Sequence, residues 1–322
     1  MHQIMYLSRS DVEAVGMGMA EIIAALEAMF LEKGHGRFEM PPKPGIHPLP
    51  DAFIHAMPAY IPSLRSAGMK WVSGYPQNQA KGLPYITGLL ILNDPETGIP
   101  IAVMDCAWIT AMRTGAATAV AAKYLARSDS SSVGILACGV QGRSNLEALS
   151  CQFRIDTARA YDTSEGVAEH FAADMAARLG ISIEVVATPR AAVEGMDVVV
   201  TSGPILKHPQ PAIEAGWLEP GAFGSLVDFD SYWQGAALAE VDKLATDDVA
   251  QMDYYRSVGY FQQTPRPYAD LGEIVAGLKP GRERDDERIL AVNLGIALDD
   301  MAVAPLIYER ACQQGIGTRL PL

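Results

Sequence analysis

The stretch Ser131-Ser-Val-Gly-Ile-Leu-Ala-Cys-Gly-Val-Gln-Gly142 constrains the fold more than any other part of the chain. An apolar run breaks into glycines, and Asp162 follows 20 residues after Gly142. A buried strand delivering the chain into a tight bend is the pattern of a dinucleotide-binding turn: Gly139 lets the backbone approach a pyrophosphate, and Gly142 lets the next helix pack close to the strand. The phosphates would meet Gly139, Val140, Gln141 and Gly142 at a helix N-terminus, where N–H groups and the helix dipole favour negative charge. Ala137 stands where the first glycine of a Gly-x-Gly-x-x-Gly fingerprint would be, so a merely well-packed strand-to-helix turn is the competing reading.

The surroundings of this turn decide between the two. From about Ser132 to Leu294 short apolar runs alternate with longer amphipathic ones, the pattern of a parallel sheet covered by helices on both faces. The candidate strands are Val133-Ala137, Arg159-Tyr161, Ile183-Val186, Asp197-Thr201, Ala222-Val227, Leu244-Thr246 and Ile289-Asn293, with helices such as Ser144-Phe153 and Ser164-Leu179 between them. That is an α/β, Rossmann-type nucleotide-binding unit. The first hundred residues differ: many prolines between Pro41 and Pro62, extended segments at Met69-Val72 and Tyr85-Asn93, a turn at Asp94-Pro-Glu-Thr-Gly98, and a further strand at Ile99-Asp105. They predict a separate, antiparallel α+β domain. An alanine-rich helix from Cys106 to Arg127 leads out of it, and a last helix, Ile296-Gln313, returns to it. The expected domains are 1–126 with 296–322, and 127–295.

Composition narrows the function classes. A 322-residue chain, 49% hydrophobic and 20% charged, can bury a large core over about two domains. No window approaches the roughly 20 apolar residues of a membrane span, and the first ten residues lack the layout of a signal peptide, so the cytoplasm is the expected compartment. A net charge of -13 disfavours nucleic acid and anionic membrane as partners, and an anionic small substrate would need a local cationic pocket. Cys106, Cys138, Cys151 and Cys312 form no C-x-x-C pair, and no histidine spacing suits a metal, so neither disulfide framework nor metal is expected.

A few residues could carry chemistry. Asp162 ends the second strand of the nucleotide unit, where a carboxylate can accept both hydroxyls of an adenosine ribose, or else cap the next helix. Thr163-Ser-Glu165 offers no arginine for a 2′-phosphate, which favours NAD(H) over NADP. Lys70, in Gly68-Met-Lys-Trp-Val-Ser-Gly-Tyr75, would be partly buried with a lowered pKa, or point to solvent; its neighbours alone favour solvent. Arg113 lies in an otherwise small and apolar helix, calling for a bound anion or a structural salt bridge. In Leu226-Val-Asp-Phe-Asp-Ser231, Asp228 and Asp230 would face the same way in an extended chain, at the strand edge where doubly wound sheets bind ligands. One of them could serve as acid or base; capping and surface roles compete.

Met57-Pro-Ala-Tyr60, Gly68-Met-Lys-Trp71, the hairpin Gly88-Asp105, Met112-Arg-Thr-Gly115, Gly139-Val-Gln-Gly142, the strand before Asp230 and Gly295-Ile-Ala-Leu-Asp-Asp300 together resemble the ornithine cyclodeaminase and μ-crystallin family over nearly the full length. The resemblance implies a Rossmann domain carrying the cofactor and a substrate and dimerisation domain built from the N-terminal region and the last helix, in a homodimer. It implies Lys70 beside the substrate, Arg113 on the substrate carboxylate and on the cofactor, and Asp230, or Asp228 after a small shift, as the catalytic aspartate. Met57, Lys43, His47 and His55 join the substrate set; Thr114, Thr201, Ser202, Val227, Asn293 and Gly295 join the cofactor set. Lys43 replaces a family arginine and Asn293 a family serine, which weighs against the ornithine reaction itself. The implied activity is NAD(H)-dependent interconversion of an α-imino (or keto) acid and an L-amino acid; the extra polar groups Lys43, His47 and His55 would suit a second carboxylate, which makes iminosuccinate, giving aspartate, the specific form expected. A cyclodeaminase-type ammonia lyase using catalytic NAD and a non-catalytic, crystallin-like binding protein are the alternatives.

Overall fold

The computed structural model describes residues 2–322. In chain order the elements are β1 (Gln3–Leu7), α1 (Arg9–Ala14), α2 (Met19–Gly34), β2 (Gly45–Ile46), β3 (Phe53–Ile61), β4 (Ser66–Gly74), β5 (Ile86–Asn93), β6 (Pro100–Asp105) and α3 (Ala107–Leu125). Then follow β7 (Ser132–Leu136), α4 (Val140–Gln152), β8 (Thr157–Tyr161), α5 (Glu165–Leu179), β9 (Ser182–Val185), α6 (Pro189–Val193), β10 (Val198–Thr201) and β11 (Phe223–Leu226). The rest are α7 (Gly235–Ala239), β12 (Lys243–Thr246), α8 (Val249–Ser257), β13 (Ala269–Asp270), α9 (Leu271–Val275), β14 (Ile289–Val292), α10 (Ala297–Gln314) and β15 (Thr318–Pro321). The chain divides into two compact units, Met1–Arg113 with Ile296–Leu322, and Thr114–Gly295. The first division falls inside α3 rather than after residue 126, because the N-terminal turns of that helix carry Thr110 and Arg113 into the core of the first unit.

The first unit is a seven-stranded sheet in the order β15-β1-β6-β5-β4-β3-β2. All pairs are antiparallel except β1 with β6. Side chains alternate across a pleat, so one face of β3, β4, β5 and β6 carries Met57, Lys70, Leu90 and Met104 in register, all buried. Against this face pack α10 and, behind it, α2. Close approach of the β5 backbone needs Gly68, where a Cβ would lie 2.2 Å from the Ile91 carbonyl oxygen, and Met301 Sδ of α10 would stand 3.0 Å away. The opposite face carries Tyr6, Trp71, Leu89 and Leu320, all exposed.

The second unit is an eight-stranded, wholly parallel sheet in the order β13-β12-β14-β11-β10-β7-β8-β9. Its central strands are mainly apolar and buried from Val133, Val198 and Ile289 onward, as a sheet covered on both faces requires. Strand order reverses between β7 and β10, the switch point beyond whose carboxyl ends ligands of such sheets bind. This is a Rossmann-type fold. Among the described residues no helix is long and apolar enough to cross a membrane.

Candidate functional site

In the second unit the chain leaves β7 through Ala137, Cys138 and Gly139 and enters α4 at Val140. Ala137 has φ +74°, the left-handed conformation that glycine takes without a steric penalty. The missing first glycine of the fingerprint is therefore missing in side chain only; the backbone bend is made regardless. A Cβ on Gly142 would come within 2.6 Å of the Ala137 carbonyl oxygen, so the helix packs onto the turn as only glycine allows. A Cβ on Gly139 would meet nothing within 4 Å, and glycine as N-cap places no side-chain oxygen at the head of α4. Open space beside an N-terminal turn whose N–H groups have no side-chain cap is the geometry that accepts a phosphate.

Two neighbours hold this turn. Asp162 accepts from the Cys138 N–H (2.8 Å) and from the Ser164 N–H (3.0 Å). It is not the cap of α5, whose N-cap residue is Ser164. A carboxylate has about four acceptor positions, so two backbone donors leave room for hydroxyls. Thr163 beside it is exposed. Ser202 donates to the Ala137 carbonyl (2.9 Å), tying the end of β10 to the turn.

Asp228 and Asp230 do not face the same way. The strand ends at Leu226, Val227 begins a bend, and Phe229 takes φ +62°, so the backbone between the aspartates is a turn rather than an extended chain. Phe229 is locked there by rings of Tyr255, Tyr260 and Phe261, with centroids 4.8 to 5.5 Å away. Asp228 turns inward, fully buried, accepting from Thr201 Oγ1 (2.7 Å) and the Gly203 N–H (3.2 Å), and Trp233 Nε1 donates to the same Thr201 hydroxyl. Burial pushes the Asp228 carboxyl up to about 7. Asp230 accepts from Thr264 Oγ1 (2.7 Å) and is also raised by burial, with that hydrogen bond opposing the rise. At the end of β14, Asn293 Nδ2 donates to Ser225 Oγ (3.0 Å) and Thr118 Oγ1 (3.3 Å), while its Oδ1 is buried with no hydrogen-bond partner among the described residues. Gly295, with φ +73°, donates its N–H to Asp247 (2.8 Å).

The first unit buries an ion cluster. Lys70 is 1% exposed, which corrects the solvent-facing reading that its neighbours alone favour. Its Nζ lies 2.9 and 2.7 Å from the two oxygens of Asp300 and 3.4 Å from Thr110 Oγ1. Arg113 Nη1 lies 3.0 Å from Asp299 Oδ2, and its Nε is 3.6 Å from Asp300 Oδ1. Burial, then the Arg113 charge, push the Lys70 ammonium down from its ordinary range, with Asp300 pulling it back up. Burial raises the Asp299 carboxyl to about 6 against the pull of Arg113. Met57 lies opposite Lys70 across β3 and β4.

Lys43 and His55 are buried nearby, and His47 is exposed. The His55 ring stacks on Phe53 (4.3 Å between centroids) and meets His47 edge-on at 6.1 Å. Desolvation, followed by the charges of Lys43, His47 and Lys70, pushes His55 down to about 3. It is a neutral imidazole in a cationic neighbourhood. Among the described residues no group of three or more His, Cys, Asp or Glu side chains could hold a metal ion.

The model of the ornithine cyclodeaminase/mu-crystallin family matches residues 2–315. The chain belongs to that family. Within the family, an alanine dehydrogenase of Archaeoglobus fulgidus is 36% identical over 330 residues, covering 99% of this chain and 98% of its own. Among solved structures, Thermococcus litoralis Delta(1)-pyrroline-2-carboxylate reductase in complex with NADH and L-proline superposes with a TM-score of 0.89 at 36% identity, over 98% of this chain and 99% of its own. An archaeal alanine dehydrogenase dimer with bound NAD superposes equally well, with a TM-score of 0.89 at 34% identity over the whole of both chains. These relatives act on amino and imino acids by their names. In this chain Asp299 and Asp300, which stand in the piece Gly295-Ile-Ala-Leu-Asp-Asp300 without a role read from it, and Thr110, Thr118, Ser225 and Thr264 are the further polar residues that the structure brings into the two clusters. Asp299 and Asp300 are two acids in the first turn of a helix that is otherwise apolar as far as Ile307, a pattern that end-capping accounts for equally well.

Proposed function

We propose that the protein is an NAD(H)-dependent oxidoreductase that interconverts an α-imino acid and an L-amino acid. The observation that carries this reading is the burial of two cations, Lys70 and Arg113, in the first unit of a chain whose second unit carries a dinucleotide turn with open space at Gly139. Buried ion pairs contribute little net stability compared with apolar side chains of the same size, so their presence points to a ligand.

The second unit suits the cofactor. The glycine-capped head of α4 with Val140, Gln141 and Gly142 would take the pyrophosphate, Asp162 and Thr163 the adenosine ribose, and the buried Asn293 Oδ1 a donor such as a carboxamide N–H. Thr114, Thr201, Ser202, Val227 and Gly295 complete that set. When bound, the nicotinamide gives or takes the hydride; the protein contributes orientation and charge. Arg113 would pair with the substrate carboxylate, and Lys70 would hydrogen-bond the carboxylate or the imine nitrogen. Asp230, raised by burial and held by Thr264, would carry the proton, while Asp228 serves the Thr201–Gly203 turn.

Lys43, His47 and His55 support a substrate with a second carboxylate, such as iminosuccinate, reduced to aspartate. The exposed Tyr6, Trp71, Leu89 and Leu320 on the outer face of the first unit's sheet support a homodimer.

The test is NADH and NADPH oxidation with oxaloacetate, pyruvate or 2-oxoglutarate plus ammonia, and with Δ1-pyrroline-2-carboxylate. We expect stoichiometric NADH consumption with at least one of them, and a preference for NADH. Ammonia release from ornithine with catalytic NAD alone would make the protein a cyclodeaminase; binding without turnover of any of these would make it a ligand carrier.

A further inference from the structure

The last helix opens with two aspartates that the function above leaves unused. Asp299 and Asp300 are both fully buried. Acids in a first helical turn ordinarily cap the helix from the surface. Asp299 does accept from the Ile296 N–H (3.2 Å), but its other oxygen is buried with no hydrogen-bond partner among the described residues. Asp300 has a different setting: both its oxygens lie against the Lys70 ammonium, and Arg113 stands on its other side.

We propose that Asp300 is a positioning residue that holds the Lys70 ammonium charged and aimed for the substrate carboxylate, and that Asp299 does the same for the Arg113 guanidinium; this rests on the reading of Lys70 and Arg113 as substrate ligands. Lys70 enters from β4 between Met57 and Leu90, which are apolar and leave its direction to other elements. From α3 come Thr110 and Arg113, from α10 Asp299 and Asp300, and ahead of α3 the Cys106 thiol, which burial keeps protonated with a pKa of about 11. Of the charged groups acting on Lys70, Arg113 works against its charge and Asp300 sustains it. The two Asp300 oxygens, 2.9 and 2.7 Å from Nζ, and Thr110 Oγ1 at 3.4 Å fix where the ammonium sits and which way it points. Asp299 Oδ2 accepts from Arg113 Nη1 at 3.0 Å, and so fixes the guanidinium from the α10 side.

The experiment compares wild type, Asp300→Asn and Asp299→Asn, with oxaloacetate plus ammonia as the probe, or with the member of the substrate panel turned over fastest. Asparagine keeps the shape of aspartate and removes its charge. An opposite charge at this distance shifts a pKa by about one to three units, so the alkaline limb of kcat/KM in Asp300→Asn should move to lower pH by about one unit or more, with activity recovering on the acid side. Ammonia titrates identically in all samples and cancels in the comparison. Asp299→Asn should raise KM about tenfold or more with kcat little changed. NADH binding, followed by fluorescence, reports the fold; should Asp300→Asn not bind NADH, the KM of Asp299→Asn decides. An unmoved limb and an unchanged KM would overturn the proposal, since a merely structural role lowers stability without moving either. Lys70→Met separates the two claims. Unchanged turnover in that variant defeats the substrate-ligand reading itself, whereas an inactive Lys70→Met beside an unmoved Asp300→Asn limb defeats only the positioning role.

Discussion

The two units build their sites from different material. In the second unit the turn after β7 is made of backbone: a left-handed Ala137, a Gly139 with nothing beside it and a Gly142 pressed against a carbonyl. In the first unit the ion cluster is made of side chains from β4, α3 and α10, with Lys70 and Asp300 separated by 230 residues. A backbone site depends on volume and fails when a methyl group is added. A side-chain site depends on charge balance and fails when one partner is removed.

The largest effect should come from unbalancing the ion cluster. Asp300→Leu leaves Lys70 buried without its main counter-charge and should cost about 3–5 kcal/mol in denaturant unfolding, whereas Lys70→Met combined with Asp300→Leu should recover most of that loss. Additive losses in the double variant would show the pair to be uncoupled. Next comes Gly142→Ala, where overpacking against Ala137 should cost about 1–3 kcal/mol and weaken NADH binding, a result that tells volume from charge as the basis of the turn. Asp162→Ala should then relax the preference for NADH over NADPH in competition assays; an enzyme that already favours NADPH would contradict the role given to Asp162. The smallest effect is a gain. Ala137→Gly removes the left-handed penalty and should stabilise the protein by about 1 kcal/mol, with NADH affinity unchanged, if the bend is already made in the native chain.

The same contrast governs what could be read from the sequence. The parallel sheet was legible because most of its strands are short apolar runs with a helix next in the chain, and seven of its strands fall within a residue or two of where the runs place them. Only the short edge strand β13 left no such signal. In the first unit, β5 and β6 were legible from their hairpin and β4 as an extended segment, but β3 was hidden in the proline-rich stretch: Pro58 sits inside it, opposite Met69. The parallel pairing of β1 with β6 joins segments about a hundred residues apart and has no local signature. The candidate site divides the same way. Gly139, Gly142 and Asp162 were readable from spacing. The burial of Lys70 was not, because its local neighbours alternate as an exposed strand would, and its counter-ion lies in the last helix. Asp228 and Asp230 were misjudged as co-facing because an aromatic cluster holds Phe229 in a conformation that a phenylalanine rarely adopts.

In the proposed function the second unit binds the cofactor while Lys70 and Arg113 of the first unit bind the substrate. The most direct measurement is the NADH dissociation constant and kcat/KM of Lys70→Met beside wild type. The account predicts NADH affinity within about threefold of wild type and kcat/KM lower by about a hundredfold or more; full turnover in Lys70→Met, or turnover and NADH binding lost together, would contradict it.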